Sequence, residues 1–292
     1  METPRPGSDR QLKIIETYLM NMPSLSTTAK KVIAVCNSPS SSANDINRII
    51  SLDPVLTGNV LKLINSAYYS MRDHVTSLTK AIVMLGLNTI KNLALSTAVL
   101  GTLNKNKKSP TMDDFWSHSI ITGITAKHIA AITGVPLIER EVYFVSGLLH
   151  DLGKIPLIQC FPKGYATVIE SSLRKQISMN RSEKIIFGIN HSMTGKMIAK
   201  KWSLRGPVYE VICYHHDPDA SDPAHLKIVR IIALANLFSS MIYKDYLGAA
   251  IPRNVFLNDL LTKVAIEWRT LAEEKDAILE EIDKAKVFLQ IT

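Results

Sequence analysis

Apolar positions recur at helical spacing through nearly every segment of the chain. After Asp53-Pro54, residues Val55, Leu56, Val60, Leu63 and Ile64 fall close to one helical stripe. Asp53 places a capping carboxylate before a proline at the first helical position, where a missing N–H costs nothing. Ser42 with Asp45, Thr111 with Asp114, and Asn180 with Glu183 share the spacing of capping boxes. Alternating Val/Ile/Thr runs joined by Asn-Gly turns are absent. The pattern predicts an all-α chain of about a dozen helices or more.

Polar interruptions divide this pattern. Asn104 to Pro110 is lysine-rich and ends in proline. It separates a predicted N-terminal helical bundle, residues 12–103, from a second helical unit, residues 111–243. Ala220 to Ala224 reads as a loop inside that second unit. The C-terminal segment, 255–292, reads as one helix from about Val255 to Leu289, with apolar positions that include Leu260, Leu261, Val264, Trp268, Leu271, Ile278, Leu279 and Ile282. That helix could pack on either unit or on a partner. Length agrees with two units, since 292 residues is about twice a typical domain.

Composition narrows the class. Apolar residues make up 46% and charged residues 21%, which excludes a disordered chain, a collagen, a coiled-coil rod and a disulfide scaffold. With only Phe 7, Tyr 9 and Trp 3, the core must be mostly aliphatic. Lys+Arg 34 against Asp+Glu 26 gives +8, but the charge is scattered. Its densest stretches are Lys105, Lys107, Lys108 and the pair Lys200, Lys201. Without a recognisable module beside them, a solvated basic surface is expected rather than a nucleic-acid footprint. Three cysteines with no CxxC spacing suit a reduced compartment. Met1 to Arg10 lacks the apolar stretch of a signal peptide. No run of about 18 apolar residues is evident, the nearest, Ala81 to Leu103, being broken by Asn88, Lys91 and Asn92. A cytoplasmic protein that binds neither membrane nor nucleic acid is the expectation.

Five of the eight histidines fall in an order that suggests one metal site: His118, His150, His191, His215 and His216, with Asp151 beside His150. The gaps from His118 to His150, Asp151 to His191, and His191 to His215 are 32, 40 and 24 residues. Each is about one helical hairpin, so successive helices can return ligands to one point. On a helix, His150 and Asp151 would leave about 100° apart, and an ion between them could take both. Asp151 follows the apolar stretch Val142 to Leu149, where a bare charge is expensive unless paired or bound to metal. Imidazole with carboxylate suits Fe, Mn, Zn or Ni. Any one of these histidines alone reads as an ordinary core or surface residue; the ordered set is what points to metal. Cys213, near His215, reads as a buried inert thiol. His74, His128 and His225 have no ordered partners and read as surface or packing residues. Gly86, Gly147 and Gly153 read as close-packing or helix-end glycines, and no Gly-rich phosphate loop is present. Asn65 and Ser66 read as a helix terminator with Tyr68 and Tyr69 packed between the units, or else as a partner-binding surface.

The series His118, His150-Asp151-Leu152-Gly153-Lys154, His191, His215-His216 resembles the metal-dependent HD phosphohydrolase superfamily, in particular the HD-GYP phosphodiesterases. The N-terminal half resembles the HDOD domains more closely. The matching residues are Met22-Pro23-Ser24-Leu25, Ile50 to Thr57, Asn65-Ser66-Ala67-Tyr68-Tyr69, Ser77 to Ala81, and Leu85 to Thr89. The resemblance spans about Leu12 to Tyr243.

It implies an HD-domain-like helical bundle with an N-terminal helical subdomain, in a signalling or regulatory module working through an unidentified protein partner. It implies metal ligands at His118, His150, Asp151, His191, His215 and His216, with Lys154 at the place of a phosphate-holding lysine. Two departures weaken hydrolysis. Asn236 stands where the superfamily has an aspartate, and Asp217-Pro218 follows the His-His doublet in place of Gly-Tyr-Pro. Two divalent ions would face one carboxylate, Asp151, with Asp217 a possible second. One ion is therefore expected rather than two, and binding rather than turnover. The alternative is a metal-dependent phosphohydrolase acting on a nucleotide or cyclic nucleotide, with Asp151 and Lys154 in the reaction. A nucleotide or phosphate ligand fits either reading.

Overall fold

The computed structural model describes residues 8–22, 25–103, 110–243 and 255–290. The polar residues Met1 to Gly7, Pro23 and Ser24 of the Met-Pro-Ser-Leu motif, the boundary stretch 104–109 with its three lysines, and residues 291–292 lie outside the described residues.

The described residues are helical, with no strand among them. The first part contains α1 (Ser8–Asn21), α2 (Thr27–Cys36), α3 (Ala43–Ser51), α4 (Pro54–Ile64), α5 (Leu78–Leu85) and α6 (Leu87–Leu103). The second contains α7 (Pro110–Ile132), α8 (Glu141–Leu149), α9 (Lys154–Cys160), α10 (Pro162–Lys175), α11 (Met179–Phe187), α12 (His191–Lys201), α13 (Gly206–Tyr214) and α14 (Leu226–Tyr243). The last part contains α15 (Val255–Val264), α16 (Trp268–Glu273) and α17 (Lys275–Ala285). Its sequence reads as a single helix, and the break has a physical reason. Ala265 adopts a left-handed backbone (φ 58°), and Glu267 is extended. That turn swings Ile266 and Trp268 into the core. No glycine or proline marks the place, so periodicity alone runs straight through it.

Local chemistry explains most helix starts. Ser42 and Asp45 form the expected reciprocal capping box, and Asp53 accepts the Leu56 N–H at 3.0 Å ahead of Pro54. The other two spacings are not used as caps. Thr111 lies inside α7, and α11 is capped by Ser178, which accepts from Arg181 N–H. Starting α11 there frees Asn180 and Glu183 for tertiary contacts. Asn65 ends α4 and clamps the following loop, its side chain exchanging two hydrogen bonds with Val75 (2.7 and 2.8 Å).

Two close approaches position the site. A Cβ on Gly147 would lie 2.7 Å from Gly123 Cα, so α7 and α8 touch backbone to backbone. A Cβ on Gly153 would lie 1.8 Å from the His191 carbonyl oxygen, so the turn after α8 sits directly on the start of α12. Thr194 Oγ1 donates to the Gly153 carbonyl at 2.7 Å and fastens the same contact.

The tyrosine pair packs between the first and second parts. Tyr69 OH donates to Glu141 at 2.6 Å, and Lys127 donates to Tyr68 OH at 3.1 Å and to Glu141 at 3.2 Å. Phe288, fully buried, closes against both Tyr68 and Phe144. His128, read as a surface or packing residue, pairs with Glu274 (2.7 Å) and Glu281 (3.4 Å), tying α17 to α7. The stretch Pro223–Ile242 is long and apolar enough to cross a membrane by length and composition. Sequence reading passes over it because Lys227 and Arg230 interrupt it. Half of it is buried in this fold, where α14 packs on α7 and α15.

Candidate metal centre

Five helix segments deliver the site. His118 comes from the middle of α7 and Asn236 from α14. His150 ends α8, and Asp151 lies in the turn to α9 rather than on a continuous helix. His191 opens α12, while His215 and His216 follow α13. His150, Asp151, His191 and His215 are buried.

Hydrogen bonds set the imidazole tautomers. The Gly147 carbonyl can only accept, so His150 carries its proton on Nδ1 (2.6 Å). By the same argument His215 donates Nδ1–H to the Val211 carbonyl (2.9 Å). His191 donates Nδ1–H to the Glu183 carboxylate (2.6 Å). Each ring therefore turns an Nε2 lone pair inward. His191 Nε2 lies 2.8 Å from His216 Nε2 and 3.4 Å from His215 Nε2. Asp151 Oδ1 lies 3.2 Å from His191 Nε2 and 3.6 Å from His215 Nε2. The Nε2 lone pairs of His191 and His215 and the Asp151 oxygen, facing one another at such distances, repel unless a cation lies among them.

The burial pattern agrees. His150 Nε2 and Asp151 Oδ1 are buried without a hydrogen-bond partner, which is costly for a polar core atom. Asp151, His191, His215 and His216 offer four donor atoms all within 4.8 Å of one another, and His118, His150 and Asp151 form a second such group. Burial, reinforced by the nearby Lys154 and His150, pushes the His118 imidazole down to about 3. Burial likewise lowers His215 to about 4 and His216 well below the ordinary value. Burial opposes ionisation of Asp151, but His150, Lys154 and His191 outweigh it and hold the carboxyl well below its usual range. Neutral His118, His215 and His216 beside an ionised Asp151 are the protonation state that metal binding requires.

The sequence-predicted residues His118, His150, Asp151, Lys154, His191, His215, His216 and Asn236 are thus brought together. Asn236 Oδ1 faces His118 Nε2 at 3.0 Å, and Lys154 Nζ lies 2.5 Å from Asp151 Oδ2. Asp217 is not brought in: it is exposed and belongs to neither donor group, so Asp151 is the only carboxylate in them. Cys213 also stays outside, its thiol pushed up by burial. Sequence reading missed Glu183, fully buried, which accepts both the His191 backbone N–H (2.8 Å) and its ring N–H, as well as Tyr165 OH (3.0 Å). A carboxylate behind a ligating histidine fixes the ring and raises its basicity. A cleft of about 550 Å³ between α2, α6 and α13 contains none of these residues.

Residues 22–218 match the HDOD domain family. The chain belongs to the HDOD family. Among solved structures, the fold is similar to an HDOD domain protein of unknown function from Geobacter sulfurreducens, at 25% identity and TM-score 0.71, covering 95% of this chain and 98% of that one. It is equally similar in fold to a presumed phosphohydrolase from Shewanella amazonensis, at 23% identity and TM-score 0.71, covering 94% and 98%. An uncharacterised protein of Treponema pallidum is 25% identical over 238 residues, covering 80% of this HDOD chain. The chain spans 45% of the length of that relative.

Proposed function

We propose that this HDOD protein is a regulatory module that holds a divalent transition-metal ion and acts by presenting its surfaces to a protein partner. The observation that carries the metal reading is the meeting of Asp151 Oδ1 with Nε2 of His191, His215 and His216, a cluster of inward lone pairs without a proton donor assigned among the first three. Those four residues would hold the ion, with Glu183 steadying His191 from behind. Three imidazoles and one carboxylate suit Fe, Mn, Zn or Ni. When bound, the ion would supply Lewis-acid polarisation of an oxygen ligand. The rest of the site favours holding over turnover: it is largely buried, Asn236 brings no charge, and Asp151 is the single carboxylate.

The second reading, a phosphohydrolase acting on a nucleotide, draws on Lys154 beside the cluster and on the named activity of the Shewanella amazonensis neighbour. Elemental analysis of protein purified without tag or chelator tests the metal reading. About one equivalent of metal is expected, lost in Asp151→Asn and His191→Ala variants that remain helical. Absence of metal after reconstitution overturns it. Metal-dependent turnover of a phosphodiester, abolished in Asp151→Asn, would favour the second reading.

A further inference from the structure

The cleft of about 550 Å³ lies where the first part of the chain meets the second. Helices α8 and α13 begin at its wall, with Val142 and Val208, and end at His150 and at His215-His216. Nine residues of helix, at 1.5 Å each, put the cleft about 13 Å from the metal cluster. Helices α6 and α14 also open onto it, with Lys91 and Lys227 near their starts. Four helix N-termini, the positive ends of their dipoles, therefore border one cavity. The side chains add to that field. Lys91, Arg205 and Lys227 line the cleft against one carboxylate, Glu139. Lys91 donates to the Ser41 hydroxyl and Lys227 to the Thr133 carbonyl (3.4 Å), and none of the three cations is ion-paired among the described residues. Tyr143 points to a ligand independently. It lines the cleft and is only 7% exposed, yet its hydroxyl has no hydrogen-bond partner among the described residues. The buried hydroxyls of Tyr69 and Tyr165 each have a carboxylate. Burial and the Glu139 charge raise the Tyr143 phenol, so it stays protonated and able to donate. The wall between these groups is aliphatic, with Ile33, Leu95 and Ile228.

We propose that this cleft is a second ligand site, separate from the metal centre, for a small organic phosphate: an apolar body carrying a phosphomonoester. Three cations against one carboxylate leave two positive charges over. A phosphomonoester brings about −1.5 to −2 at neutral pH, with three acceptor oxygens. Helix N-termini receive such an anion on their backbone N–H groups. The Tyr143 hydroxyl adds a neutral donor, and the aliphatic wall takes the body of the ligand out of water. Nothing in this site calls for a metal ion.

Isothermal titration of the full chain with phenyl phosphate tests this, on protein stripped of metal and desalted. Saturable binding is expected, tighter than for inorganic phosphate or phenol. Arg205→Gln and Lys91→Gln are each expected to weaken it about tenfold or more, and Tyr143→Phe about fivefold. Lys154→Gln, at the metal cluster, should bind as wild type does. Arg205 is exposed and has no hydrogen bond or ion pair through its side chain among the described residues, so Arg205→Gln keeps the test open should another variant lose its helical circular dichroism. No saturable binding overturns the proposal. Unchanged binding in all the folded cleft variants also overturns it, as does binding lost in Lys154→Gln, which would put the anion at the metal cluster. Inorganic phosphate binding as tightly as phenyl phosphate overturns the organic class. The metal reading stands or falls separately, on elemental analysis.

Discussion

Glu183 Oε2 accepts the ring Nδ1–H of His191 at 2.6 Å and the backbone N–H of the same residue at 2.8 Å. One buried carboxylate thus fixes where His191 sits and which nitrogen faces inward. Glu183→Gln keeps the size but loses the charge behind the imidazole. Metal affinity is expected to fall about 10–100-fold, with little change in helical content. Titration with Zn or Mn followed by calorimetry reads this. An unchanged affinity would mean that His191 does not ligate.

Gly153 has no room for a methyl group. Its added carbon would overlap the His191 carbonyl oxygen and come 2.4 Å from Gly195 N, both rigid backbone atoms. Gly153→Ala is expected to destabilise the fold by about 3 kcal/mol or more, measured by urea unfolding. The displaced turn carries Asp151, so metal retention should drop even in the folded fraction.

Lys127 and Glu141 form a mostly buried pair, their side chains 24% and 5% exposed. Removing one partner leaves the other charge without compensation. Glu141→Ala is expected to cost about 3–5 kcal/mol. Tyr69→Phe, which removes one hydrogen bond to a charged group, is expected to cost about 1.5–3 kcal/mol. Equal unfolding midpoints for the two variants would show that the ion pair adds nothing beyond the phenol.

The His128 link between α7 and α17 predicts a pH window. Burial disfavours the charged imidazole, but the hydrogen bonds it donates to Glu281 and Glu274 outweigh it and raise His128 above 6.5. A raised histidine stabilises fully below its unfolded value and loses that contribution as pH climbs through its folded value. The hydrogen bond from His128 leads the lowering of Glu281 below 4.5. A lowered carboxyl stabilises above its unfolded value and loses that contribution as pH falls through its folded value. Both contributions are present between pH 4.5 and 6.5. The difference in Tm between wild type and His128→Ala should therefore be largest in that window and shrink on either side. A difference independent of pH would show packing alone.

Much of the fold was legible because its signals are local. Caps at Ser42 and Asp53 act within a few residues, and their chemistry is written beside the helix they start. The donor set was legible because its members are chemically unusual in apolar surroundings. What failed to show was tertiary. Glu183 has the spacing of a capping partner to Asn180, and only the fold reveals that it turns toward a residue eight positions later. Asp217 stands next to the His-His doublet in sequence, yet the turn after α13 points it outward. The break at Ala265 is paid for by burial of Ile266 and Trp268, a gain that no neighbouring residue announces.

Phe288 gives the chain a temporal asymmetry. Its ring lies 5.5 Å from that of Tyr68 and 4.8 Å from that of Phe144. Both partners are translated long before it. Until Phe288 arrives, the aromatic contact that joins the three parts of the fold is one member short, however well the earlier helices have formed. Chains truncated before residue 288 should leave that seam open to protease, and closure should come with the turn that carries Phe288.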